Sequence, residues 1–95
     1  MSAYVIAEIE VTDPAVYEEY RKQVLAVVTK YGGKFLVRGG NVKSKEGGWA
    51  PKRLVVLEFP SMAQAEKFYG SAEYAPLLQL RLKASRGRLV IVEGA

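Results

Sequence analysis

The chain has no cysteine and no histidine. The first absence excludes disulfides and thiolate zinc sites, and makes a reducing compartment the natural setting. The second removes the usual general base, the usual haem ligand and the usual metal ligand. No apolar run approaches the length of a membrane span. The opening stretch MSAYVIAEIEV has no basic region, and Glu8 and Glu10 interrupt its apolar residues, so it does not read as a secretion signal. A cytoplasmic protein with no membrane partner is expected. There is no G-x-G-x-x-G, and the one GGK precedes a strand pattern where a phosphate loop would open a helix. No carboxylate cluster reads as a metal site. Neither metal nor cofactor is expected.

The chain has 95 residues, which suits one domain spanning residues 1–95. A chain of this size buries about 60–65% of the surface that its unfolded form exposes, so its core is modest. Hydrophobic residues make up 49%, which is globular composition. The net charge of +4 is spread along the chain, with Lys and Arg interleaved with Glu. It suits a small anion and falls short of a nucleic-acid footprint.

Residues 4–11 alternate, with Val5, Ala7, Ile9 and Val11 on one side of a strand. Asp13-Pro14 opens a helix. Its inward stripe is Val16, Tyr17, Tyr20, Val24, Val27, Val28 and Tyr31, and Gly32 ends it. Residues 34–38 form a second strand, and the pattern allows continuation through Val42. Here Phe35 and Val37 share one face, Leu36 and Arg38 the other. Residues 46–51, EGGWAP, are turn material. Residues 53–59 form a third strand. Ser61 with Gln64 makes a capping box for a second helix, broken at Gly70-Ser71. A short helical piece follows, with Leu77, Leu80 and Ala84 inward. Residues 88–93 are the last strand. The order βαββαβ predicts an α+β, ferredoxin-like sandwich: a four-stranded antiparallel sheet, its first and third strands central, with the helices on one face.

Val5, Ala7, Ile9, Phe35, Val37, Val55, Leu57, Phe59, Val90 and Val92 are expected under the helices. The opposite face would hold Tyr4, Ile6, Leu36, Leu54, Val56, Leu89 and Ile91, with Glu8, Arg38, Glu58 and Glu93 among them. A solvated sheet face is mostly polar, and this one is not. Such a patch marks an interaction surface. It is either a groove for a lipid or ligand in a monomer, or a homodimer interface, and twofold homodimers are the commonest oligomers.

The stretches YVIAEIEVTDPAVYEEY, YGGKFLVRGG, RLVVLEFPS and SAEYAPL resemble the domain of unknown function 1330 family, within the dimeric α+β barrel superfamily. The resemblance covers essentially the whole chain. It implies a ferredoxin-like protomer whose sheets pack face to face in a homodimer. It implies no established reaction. The wider superfamily includes cofactor-independent monooxygenases and isomerases acting on small cyclic compounds, and haem-degrading enzymes. Lack of histidine speaks against a histidine-ligated haem here.

Six residues are candidate ligand contacts: Tyr4, Arg38, Trp49, Glu58, Tyr69 and Tyr74. Arg38 and Glu58 share the uncovered face if their hairpin centres near Gly47. They then form either an ion pair or a site where Arg38 holds a carboxylate or enolate. The tyrosines offer phenol donors, or fill core with a polar handle at its edge. Trp49 walls a pocket or packs on a partner subunit. Arg53, Arg81, Arg86 and Arg88, taken singly, read as solvated. The pocket is expected between the uncovered sheet face and the second helix region. Three functions are compatible with this reading. They are an enzyme acting on a small anionic or carbonyl-bearing metabolite, a non-catalytic binding protein, and a structural dimerisation domain.

Overall fold

The computed structural model describes residues 1–95. Its elements are β1 (Ala3–Val11), α1 (Pro14–Lys30), β2 (Lys34–Arg38), β3 (Arg53–Phe59), α2 (Met62–Tyr69), α3 (Ala75–Ala84) and β4 (Ser85–Glu93). The strands form one antiparallel sheet in the order β2-β3-β1-β4, so β1 and β3 are central. All three helices lie on one side. The molecule is only 17 Å through its thinnest direction, the depth of one sheet and one helix layer. The expected α+β, ferredoxin-like architecture is what forms. No helix is long and apolar enough to cross a membrane.

Local chemistry sets the boundaries. The Asp13 backbone is extended and its carboxylate accepts from the Val16 amide at 3.3 Å, while Pro14 fills the first helical turn. Tyr17, Tyr20, Val24 and Val28 are the buried stripe of α1. The helix ends at Lys30, and the chain leaves it through Gly32, whose φ of 81° is open to glycine at no steric cost. Gly33 has a different reason to be glycine. A β-carbon there would lie 2.6 Å from the Phe59 ring and 2.9 Å from Val28. At α2 the Ser61 hydroxyl accepts from the Gln64 amide at 3.1 Å. The reciprocal half of the capping box does not form, because the Gln64 side chain donates to the Tyr31 carbonyl at 2.9 Å. That bond ties the start of α2 to the end of α1.

The core sits between the layers. Phe59 and Phe68 have ring centroids 5.0 Å apart, and Phe68 lies 4.6 Å from Tyr74. Ala3, Val5, Ala7 and Ile9 line the floor under them.

Two strands depart from their expected faces. In β4, Leu89 stands opposite Ala7 and Ile91 opposite Val5. Directly paired residues share a face, so Leu89 and Ile91 pack under the helices. Val90 and Val92, expected there, are exposed on the other side. In β2 the register slips by one residue between Phe35 and Val37. Phe35 stays opposite Leu57, but Val37 pairs with Val56 and Arg38 with Val55. Leu36 is the extra residue of a β-bulge. Val37 therefore belongs to the uncovered face, and Arg38 turns to the helix side. The strand stops at Arg38 and does not reach Val42.

Candidate functional site

The uncovered face, where the sequence placed a pocket, carries an open apolar depression walled by Ile6, Trp49, Leu54 and Val90; a second cleft, which gathers several arginines, lies on the covered side of the sheet. The covered cleft runs between the sheet and α1 and α3, and the space in it that a water can occupy is about 30 Å³. That is room for one or two waters, so a larger ligand enters only as the flanking side chains part. Its floor is apolar, from Val5, Ala7, Ile9, Val55, Leu57 and Leu89. Its polar groups are Arg21, Arg38, Arg53 and Arg81, with Tyr17, Tyr20 and Tyr74. No carboxylate lines it.

Arg81 is the deepest of these cations, only 6% exposed. It follows Leu77 by four residues and precedes Ala84 by three, so it sits on the buried stripe of α3. Its Nε donates to the Tyr74 hydroxyl at 3.4 Å. The Tyr74 and Tyr20 hydroxyls lie 3.0 Å apart. No carboxylate is within ion-pair distance of Arg81, Arg53 or Arg38. Burial pulls the Arg81 pKa down, but the oxygens of Tyr74 and Tyr20 outweigh it, so the guanidinium stays charged. Burial, with Tyr74 beside it, pushes the Tyr20 phenol well above its ordinary range. Tyr20 is thus a hydrogen-bond donor at neutral pH, and no base.

Arg53 opens β3 on the face of Val55 and Leu57. Its Nε donates to the Tyr17 hydroxyl at 3.2 Å. Arg38 stacks 4.3 Å above the Phe35 ring and donates to the Arg21 carbonyl at 3.0 Å.

Of the six candidate residues, the structure brings Arg38 and Tyr74 together in this cleft. Tyr69 stacks behind Tyr74, ring centroids 5.9 Å apart, outside the lining. Tyr4 and Glu58 lie on the uncovered face. There Tyr4 donates to Glu58 at 3.2 Å, and Lys34 pairs with it at 3.3 Å. Lys34 and then Tyr4 hold the Glu58 carboxyl below its ordinary range. The expected Arg38–Glu58 pair does not form, because the bulge sends the two side chains to opposite faces. Trp49 also stands on the uncovered side, its indole donating to Glu8 at 3.0 Å. Arg88 approaches the same carboxylate at 2.7 Å.

Arg81, Arg53, Tyr17 and Tyr20 line the cleft but are not among the six candidates. A signal existed for the arginines. Arg53 shares strand parity with Val55, Leu57 and Phe59, and Arg81 shares helical phase with Leu77 and Ala84. Each is a charge on an otherwise buried stripe.

A family model for "Domain of unknown function (DUF1330)" matches residues 2–95. The chain belongs to that family. No curated protein matches it. Among solved structures it is similar to RPA0582 of Rhodopseudomonas palustris, a protein of unknown function. The two share 15% identity and a TM-score of 0.75, over 99% of this chain and 82% of that one. It is similar to SnoaB of Streptomyces nogalater, a cofactor-independent oxygenase, at 12% identity and a TM-score of 0.66, over 99% and 93%. It also matches an antibiotic biosynthesis monooxygenase at 13% identity and a TM-score of 0.60, over 100% and 99%. At these identities the likeness is one of fold.

Proposed function

We propose that the chain binds a small, largely apolar anion in the covered cleft, its charged oxygen held by Arg81, Tyr74 and Tyr20. One observation carries this reading: Arg81 is buried, charged and without a carboxylate. A buried ion with no counter-charge costs several kcal/mol on the order of magnitude. An entering carboxylate, phenolate or enolate would neutralise it and accept a planar fork of hydrogen bonds.

The chemistry this arrangement supports is stabilisation of negative charge on oxygen. Proton abstraction has no agent here. The cleft has neither carboxylate nor imidazole, and the Tyr20 phenol holds its proton. The shifted carboxylates, Glu8, Glu58 and Glu73, are all lowered and stand outside the cleft. Binding of a preformed anion is therefore the primary reading. An oxygenase or isomerase acting on a carbonyl compound would use the same hold, on a substrate that loses its proton before entry.

Calorimetric titration with benzoate tests the reading. Wild type should bind it in the millimolar range or tighter, and Arg81→Met should bind it at least tenfold more weakly. Benzyl alcohol should not discriminate between the two proteins. No benzoate binding by wild type, or equal binding by the variant, refutes it.

A second copy of the chain is proposed to cover the open sheet face. The supporting observation is its apolar content: Val90 is 57% exposed and Val92 45%, beside Val37, Val56 and Ile6. Light scattering should give twice the chain mass, and Val56→Asp should halve it by placing an unpaired ion in the interface. A monomer with no concentration-dependent association refutes the dimer.

A further inference from the structure

Around Arg81 the cleft offers unspent hydrogen-bond donors and a positive charge that nothing balances. A guanidinium carries five N–H donors. Arg81 spends its Nε donor on the Tyr74 hydroxyl, and its terminal nitrogens have no protein acceptor. The Tyr20 and Tyr74 hydroxyls, 3.0 Å apart, carry two protons, and the bond between them uses one. Whichever phenol donates, the O–H of the other has no acceptor in the protein. The row of phenols continues in Tyr17. Its ring lies 5.5 Å from that of Tyr20, and its hydroxyl accepts from Arg53.

No side-chain nitrogen or oxygen is both sealed from solvent and without a partner. The terminal nitrogens of Arg81 have no partner, so they border open space, although the residue is only 6% exposed. Arg81 lines the covered cleft with Tyr20 and Tyr74, and the space there that a water can occupy is about 30 Å³. One water needs about 10–15 Å³. An occupant of the closed cleft must therefore be of water-like size, accept hydrogen bonds and carry negative charge. Water accepts the bonds but leaves the buried cation unbalanced. An organic carboxylate balances it but enters only as side chains part. A monatomic anion meets all three conditions.

We infer that Arg81 and the free phenolic proton of the Tyr20–Tyr74 pair form a halide site, filled by chloride while the cleft is closed. This site shares the buried cation of the anion-binding reading above and not its organic ligand. Chloride is little larger than a water, whereas sulfate and gluconate are too bulky for the space. Benzoate, on entering, displaces the chloride, so the two compete for one guanidinium.

The test is thermal unfolding of wild type, Arg81→Met and Lys83→Met, with sodium gluconate replaced by sodium chloride at constant ionic strength. Lys83→Met removes an exposed charge from the same helix and serves as the control. Chloride near its dissociation constant should raise the Tm of wild type and Lys83→Met by about 2 °C or more, and leave Arg81→Met unmoved. Sulfate should act on all three proteins alike. An equal chloride shift in wild type and Arg81→Met would overturn the inference. Crystals of wild type grown in bromide give a readout that needs no variant. An anomalous peak beside the Arg81 terminal nitrogens is expected, and none there would overturn the site. Benzoate titrations with and without chloride separate the two readings. Arg81-dependent benzoate binding that chloride does not weaken would overturn the halide site and leave the organic-anion reading standing. An Arg81-dependent chloride shift without any benzoate binding would do the reverse.

Discussion

Replacing Arg81 by methionine should stabilise the unliganded protein. The side chain is almost fully buried and makes one hydrogen bond, 3.4 Å long, to the Tyr74 hydroxyl. A bond of that length sits at the low end of the range of about 0.5–1.5 kcal/mol for a net hydrogen bond. Its loss orphans nothing, since Tyr74 keeps Tyr20 as a partner at 3.0 Å. Against this stands the removal of an uncompensated buried cation, whose effective penalty is several kcal/mol. Methionine is flexible enough to fill most of the vacated stem volume. The net expectation is a gain of about 1–3 kcal/mol, and a rise in Tm of about 4–8 °C per kcal/mol for a domain of this size. Urea unfolding at low salt, with the slope unchanged, reads the gain directly. Benzoate at a concentration that saturates wild type should then raise the Tm of wild type more than that of the variant, because the variant binds it at least tenfold more weakly. The reasoning fails if Arg81→Met loses more than about 2 kcal/mol at constant slope. Arg81 would then be a strut that holds Tyr74, and its missing counter-charge would carry no functional meaning.

Three further outcomes are expected. Lys30 and then Tyr31 hold the Glu73 carboxyl at about 2, below its ordinary value of 4.5. A depressed folded-state pKa gives stability that is complete above the unfolded value and fades as pH falls toward the folded one. The acid limb of a stability–pH curve between about 4.5 and 2 should therefore be shallower in Glu73→Gln, and an unchanged limb would show that the contact does not persist. Gly33→Ala should cost about 1–3 kcal/mol by overpacking against Phe59 and Val28, measured by urea unfolding. Deletion of Leu36 should remove the bulge and keep Arg38 opposite Val55, so benzoate affinity should stay within threefold of wild type. A tenfold loss would mean that the bulge itself shapes the cleft.

Strand and helix order was legible because each element carries a strong local signal: alternation in β1, a cap and proline at α1, a glycine after it. The two misplaced strands share a physical cause. Residues 88–93 read RLVIVE, with Leu89, Val90, Ile91 and Val92 all apolar, so either parity gives an apolar face. Only pairing with β1 decides between them, and that partner lies some 80 residues away in the chain. In β2, Leu36 and Val37 are again both apolar, and no residue type announces a bulge there. The error at Arg38 followed from counting through it. The cleft was partly legible from phase alone, since Arg53 and Arg81 interrupt buried stripes, whereas the tyrosine row between them exists only once α1 and α3 pack side by side.

The bulge has a consequence for how this strand changes over time. Lys34 and Arg38 are four residues apart, and in an uninterrupted strand they would emerge on one side. Leu36 divides them: Lys34 goes to Glu58 on the open sheet face, and Arg38 to the cleft. Two cations of one five-residue segment thus serve different compartments. A substitution in β2 alters one side chain in place. A single-residue insertion that the bulge does not absorb would exchange the occupants of both faces at once. Length changes in β2 are therefore unequal: losing the bulge residue leaves both cations on their faces, whereas an unabsorbed insertion swaps them.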